Sequence, residues 1–247
     1  MFRYYLVAAL CIAFGVSYSH QWNMYIPCKK GDKECVMQSA KLAYSKLMPG
    51  IPALGVESSD PLYQPEISGG VSVFNYEFKD TIITGFANCD ILEVNVNTDE
   101  PCFHIELMCT NMTLKGQYSI KGELLNANLH EAGTYDILCH KYKLGLRTKI
   151  VDVENDGKTY LQLNELKPYG NIEGKVIYKL TTLAGKMSTL QPIMNLNWKL
   201  VTNYLQDSVI GANMKLLAGH ANKFLKSISV QELFLQQNPS RNNCDAF

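Results

Sequence analysis

The stretch "LKGQYSIKGEL", residues 114–124, sets Leu114, Gly116, Tyr118, Ile120 and Leu124 against Lys115, Gln117, Ser119, Lys121 and Glu123 in alternation. Successive side chains of a strand point to opposite faces, so an apolar and a polar set with period two describe a strand with one dry face. The same rhythm runs on downstream. "YKLGLRTKI" repeats it through Tyr142, Leu144, Leu146 and Ile150, "TYLQL" through Leu161 and Leu163, and "IEGKVIYKL" through Ile172, Val176, Tyr178 and Leu180. Turn signals at "NTDEP", "NANLHEAG", "ENDG" and "KPYGN" separate the runs, which predicts a meander of long antiparallel strands from about Val71 to Leu180. In the run from Gly133, Tyr135, Ile137 and Cys139 hold odd positions, whereas Tyr142, Leu144 and Leu146 hold even ones. The phase slips near His140, and a bulge there would bend the strand as a strongly curved sheet requires.

Beyond Gly185 the period becomes 3.6. Pro192 suits a helix start, and Ile210, Met214, Leu217, Ala221, Phe224 and Ile228 step by four, three, four, three and four. Trp198, Val201, Leu205 and Val209 extend the stripe upstream to some forty residues of amphipathic helix, with Gly211 and Gly219 as candidate breaks. So long an apolar face must lie against the sheet. Near the other end, Val36, Ala40, Ala43 and Leu47 draw a short helix that stops at Pro49 and Gly50. The following "IPALGVESSDPLYQPEI" has three prolines and no helical period, so it should run extended over the surface. The fold class is α+β, with a long C-terminal helix against a curved antiparallel sheet. Such an arrangement encloses an elongated apolar space that is either packed core or ligand tunnel, and periodicity does not separate the two.

The chain opens with "MFRYYLVAALCIAFGVSYSH", in which one basic residue, Arg3, precedes an apolar run from Leu6 to Val16 and small residues at Ser17 and Ser19. This reads as a secretory signal peptide over 1–19, leaving one domain over 20–247 with a loosely ordered tail at 236–247. No later stretch approaches the ~18 apolar residues of a membrane anchor, so stable membrane insertion is not expected. Of the eight cysteines, Cys11 leaves with the signal peptide. Seven is odd, so at least one thiol stays free or pairs between chains. Cys102 and Cys109 share one strand-like run, where seven steps of roughly 3.3 Å hold them too far apart to bond each other. If "CDILEVNV" and "CFHIELMC" form a hairpin, matching Val96 to Cys102 also matches Cys89 to Cys109, a candidate bridge. The pairing favoured first is Cys28 with Cys35, a small loop across "KKGDKE" whose charged ends suit a surface position.

Lys and Arg number 23 against 23 Asp and Glu, and removing Arg3 leaves the exported chain near −1. There is no basic field for nucleic acid and no acidic tail. The five histidines show no metal-ligand spacing, and "GGVSVF" lacks the second glycine of a nucleophile elbow. His104 beside Glu106 reads as part of a wet strand face. No catalytic residues, metal or cofactor are therefore assigned. "NMT" makes Asn111 a candidate glycosylation acceptor, while "NPS" carries the forbidden proline.

A cysteine pair before a helix, "GIPALGV", "DPL", "ITGF", "GQYSIKGELL", "DGKTYLQLNEL", "NLNWKLV" and "FLKSISVQELFL" follow one another in this order. From Cys28 to about Leu235 the chain resembles the insect takeout and juvenile hormone-binding protein family. The resemblance implies an elongated α/β-wrap (TULIP-like) fold, a hydrophobic tunnel rather than a solid core, and an N-terminal Cys28–Cys35 bridge that pins the first helix. It further implies a secreted carrier of a long lipophilic ligand in haemolymph or another extracellular fluid. That ligand would be a juvenile hormone-like terpenoid, a fatty acid or another lipid linked to feeding, circadian output or chemosensation. The hormone-carrying branch has a second bridge in its C-terminal half, and here only Cys244 follows Cys139, which favours the takeout-like branch.

On this reading Tyr118, Tyr142 and Tyr178 would offer hydroxyls to a ligand head group. Phe74, Phe78, Ile105, Leu107, Ile120, Tyr135, Ile137, Val176, Leu200 and Phe224 would form walls. The second reading is a secreted module that contacts a receptor or another protein, with incidental lipid filling.

Overall fold

The computed structural model describes residues 24–71, 74–97, 101–124 and 127–235, without the side chains at 71, 74, 97, 124 and 127–129. The expected signal peptide, the tail and Cys244 lie outside the described residues. Alternation over 102–155 builds two very long strands, β4 (Cys102–Leu124) and β5 (Ala127–Asn155), of 23 and 29 residues. They pair antiparallel in one register from Cys102 opposite Lys149 to Leu124 opposite Ala127. Shorter strands flank them: β1 (Leu62–Val71), β2 (Phe74–Thr84), β3 (Asp90–Asn97), β6 (Lys158–Ile172) and β7 (Val176–Thr182). The first half of β4 pairs with β3 and the second half with β2, while β5 pairs with β7 up to Cys139 and with β6 from Tyr142. The sheet therefore has two wings that share β4 and β5.

Where the wings meet, both long strands turn over. Buried positions on β5 pass from Tyr135 and Ile137 to Tyr142 and Leu144, and on β4 from Leu107 and Cys109 to Met112 and Leu114. Asn111 adopts φ 54° at this point, and its Oδ1 lies 3.3 Å from His140 Nδ1 on the neighbouring strand. The phase slip read at His140 is thus present, but it is not a bulge. Because β4 reverses in step with β5, no register is lost and the whole sheet changes face.

The proline-rich lead-in runs extended from Leu62, but as a strand of the sheet rather than over its surface: Leu62–Val71 is β1, antiparallel to β2 at the sheet edge, with Leu62 and Ile67 buried. Pro65 is tolerated because an edge strand does not need every N–H. In the β3–β4 hairpin, Val96 pairs with Phe103 rather than Cys102, and a bulge between Ile91 and Glu93 makes up the missing residue. Asp90 consequently faces Met108, and Cys89 is bonded to Cys109 with Cα atoms 4.1 Å apart.

Four α-helices stand among the described residues: α1 (Lys33–Leu47), α2 (Leu190–Leu196), α3 (Trp198–Leu225) and α4 (Val230–Leu233). The long helical stripe breaks at Asn197 (φ −108°, ψ 30°), not at Gly211 or Gly219, through which α3 runs uninterrupted for 28 residues. A helical glycine costs about 1 kcal/mol relative to alanine, which burial of Val201, Leu205, Ile210, Met214 and Ala218 against the sheet readily outweighs. Gly170 on β6 helps α3 approach, since a Cβ there would lie 2.5 Å from Ile210 Cδ1.

The segment at Cys28 is fastened to the end of α4. Cys28 is bonded to Cys35, whose N–H donates to the α1 cap Asp32 (3.0 Å). Cys28 N–H donates to Leu233 O and Leu235 N–H to Cys28 O. A capping box formed by Ser229 and Glu232 starts α4.

Candidate functional site

Two apolar cavities follow one another along α3. The larger, about 240 Å³, lies under α1 in the wing built from β3 and β6. Val36, Ala40, Ala43 and Leu47, the stripe that defines α1, all line it, opposite Leu217 and Ala221 of α3. This explains an otherwise odd fact: α1 turns an apolar face inward, yet none of its residues is fully buried. Their apolar atoms are only partly covered by packed neighbours, and the remainder borders the cavity. The smaller cavity, about 70 Å³, lies in the other wing between Phe78, Ile137, Val176 and the N-terminal half of α3. Met214 borders both.

Polar groups are few and largely paired. In the large chamber, Tyr44 donates to Phe86 O (2.7 Å), and burial pushes its hydroxyl pKa upward, helped by the nearby Asp60 carboxylate. Ser59 Oγ and His220 Nδ1, both buried, are 2.8 Å apart, and Glu57 reaches His220 Nε2 at 3.4 Å from the surface. The adjacent amides of Ser59 and Asp60 both bond to Met48 O, so they offer nothing to a developing oxyanion. Among the described residues, no cluster of three or more His, Cys, Asp or Glu side chains could hold a metal ion.

The residues expected to form the site are divided. Ile105, Leu107 and Phe224 line the large chamber, while Phe78, Ile137, Tyr142, Val176 and Tyr178 line the small one. Tyr118, Ile120 and Tyr135 are buried in the core but border neither chamber. Phe74 opens β2, and its side chain lies outside the described set. Leu200 is no wall: it is 42% exposed, because it stands one residue, about 100° of helix, from the buried Val201.

The three tyrosines commit their hydroxyls to the protein. Tyr118 donates to Glu131 (2.6 Å), Tyr142 to Gln206 (3.2 Å), and Tyr178 pairs with Thr202 (2.5 Å). Burial raises the pKa of all three. Burial also pushes the Cys139 thiol, on the small chamber's wall, up to about 12. Cys102 is exposed, and so is Asn111 at the bend of β4. His104 and Glu106 meet Tyr169 on the outer face of the sheet, where Lys143 holds the Glu106 carboxyl below its usual range.

Sequence reasoning missed α1 as a wall and the Ser59–His220 pair. The α1 stripe at 36, 40, 43 and 47 was legible, whereas Ser59 and His220 are 161 positions apart and carry no motif.

In structure the chain is similar to Takeout 1 of Epiphyas postvittana, with a TM-score of 0.78 at 18% identity over 85% of this chain and 99% of that one. A lipopolysaccharide binding protein aligns at a TM-score of 0.38 and 12% identity, over 66% of this chain and 34% of that one. Among curated proteins none matches the sequence. A family profile described as "Haemolymph juvenile hormone binding protein" matches residues 6–235, so nearly the whole chain, including both chambers and the helix between them, belongs to that family.

Proposed function

We propose that this chain is a secreted carrier that holds a long lipophilic molecule along α3, its apolar body in the large chamber. The observation that carries the reading is the unburied apolar face of α1 above a 240 Å³ cavity. A face that is only partly packed and borders an apolar cavity is complementary to a flexible apolar chain. Burying about twelve methylenes at ~0.8 kcal/mol each gives roughly 10 kcal/mol, less some 4 kcal/mol or more for lost freedom. The remaining ~6 kcal/mol corresponds to binding in the tens of micromolar without any catalytic group. The similarity to a haemolymph hormone-binding family and the N-terminal apolar run support export.

The test is displacement of a fluorescent naphthylamine probe by C12–C16 lipids. Saturable displacement at one site per chain is expected, and failure of every lipid to displace or bind would contradict the reading. A second reading, contact with another protein, draws on the exposed Leu183, Met187 and Leu196. It would take precedence if the chain proved empty and refused added lipid.

A further inference from the structure

Among the described residues, two buried side-chain oxygens have no hydrogen-bond partner, Gln64 Oε1 and Asn213 Oδ1. Gln64 sits on the edge strand β1, donates its amide to Glu66 O (3.0 Å) and borders neither chamber. Asn213 is different. It lies on α3, 6% exposed, in the wall of the small chamber and beside Met214, where the two chambers meet.

An amide oxygen left unpaired among apolar groups weakens the protein that contains it. Such a group in an interior that is otherwise satisfied calls for a partner. The chamber's own hydroxyls are not available to it. Tyr142 donates to Gln206, Tyr178 is paired with Thr202, and Thr202 donates onward to Trp198 O (2.6 Å).

We infer that Asn213 anchors the hydroxyl group of a neutral long-chain lipid, whose chain lies in the large chamber and whose hydroxyl reaches past Met214 into the small one. This rests on the carrier reading and narrows its ligand class. No charged side chain is among the residues lining the small chamber, so a carboxylate or an ammonium would be buried there without a counter-charge. An ester, ether or epoxide brings no proton to the oxygen. A hydroxyl donates to Oδ1 and can accept from an amide N–H, so a single group satisfies the side chain. The chamber's volume of about 70 Å³ suits a compact terminus rather than a second chain.

Three probes of equal length decide the matter: 1-hexadecanol, 1-methoxypentadecane and hexadecanoic acid, each titrated against the fluorophore-loaded secreted chain. The alcohol is expected to bind roughly tenfold more tightly than the ether, the scale of one buried neutral hydrogen bond. Asn213→Leu should erase that preference by weakening the alcohol alone, while the melting temperature of the empty protein rises because the orphaned oxygen is gone. Equal affinities for alcohol and ether, or an equal loss of both in the variant, would overturn the anchor and leave the carrier reading standing. Binding of none of the three would remove both. Should the variant not fold, the ranking in the parent chain decides alone.

Discussion

The two ends of α3 carry the same helical stripe and meet different neighbours. In its N-terminal half, Val201, Leu205 and Ile210 are no more than 5% exposed and pack against a wing in which the hydroxyls of Tyr178 and Thr202 are paired. In its C-terminal half, Met214, Ala218 and Phe224 are equally buried, but Leu217 and Ala221 beside them are only half-buried and look across a cavity more than three times as large at a helix with no buried residue. One end is core and the other is part core, part wall. An apolar stripe says which face turns inward; whether that face is filled depends on what stands opposite.

Substitutions can break this contrast, beginning with the largest effect. Leu205→Ala at the packed end should destabilise by about 2–4 kcal/mol, because it opens a void among close neighbours, whereas Leu217→Ala should remain near 1 kcal/mol because its side chain already borders space. Denaturant midpoints at constant m-value measure both. Ala221→Trp fills the large chamber and should weaken lipid binding by about a hundredfold, or roughly 2.7 kcal/mol, with the melting temperature nearly unchanged. A large fall in stability instead would mean that the chamber is tightly packed.

A smaller effect concerns acid. Burial lowers the pKa of His220 below its usual 6.5, opposed by Glu57 and assisted by Lys223. The unfolded chain therefore takes up the proton first as pH falls, so the contribution of neutral His220 is complete above about 6.5 and declines below it. Urea unfolding at pH 7.5 and 5.5 should show that decline, and His220→Gln should flatten it. At the small end of the scale, Leu200→Ser on the exposed side of α3 should stay within ~0.5 kcal/mol and leave binding intact.

Legibility in the sequence follows the same division. Strands, helices and their inward faces were readable at Tyr118, Leu144, Met214 and Ala43, because period alone sets direction. The slip at His140 was readable too, but not its partner at Asn111, since one strand does not announce what its neighbour does. Register at Val96 went astray by the single residue that the bulge between Ile91 and Glu93 supplies. The Asn197 break was missed because the apolar stripe continues across it. The site was less legible than the fold. Walls on β4, β5 and the end of α3 were in view, while the α1 side and the Ser59–His220 pair depend on tertiary approach. The stranded amide of Asn213 depends on it too, and a void has no letter in the sequence.

The claim that the large chamber is a lipid site is tested most directly by native mass spectrometry of the chain, expressed in insect cells and purified without detergent, followed by organic extraction of whatever dissociates. The account predicts one lipophilic molecule per chain, absent from Ala221→Trp. A monomer that arrives empty and also fails to take up added long-chain lipids would contradict it.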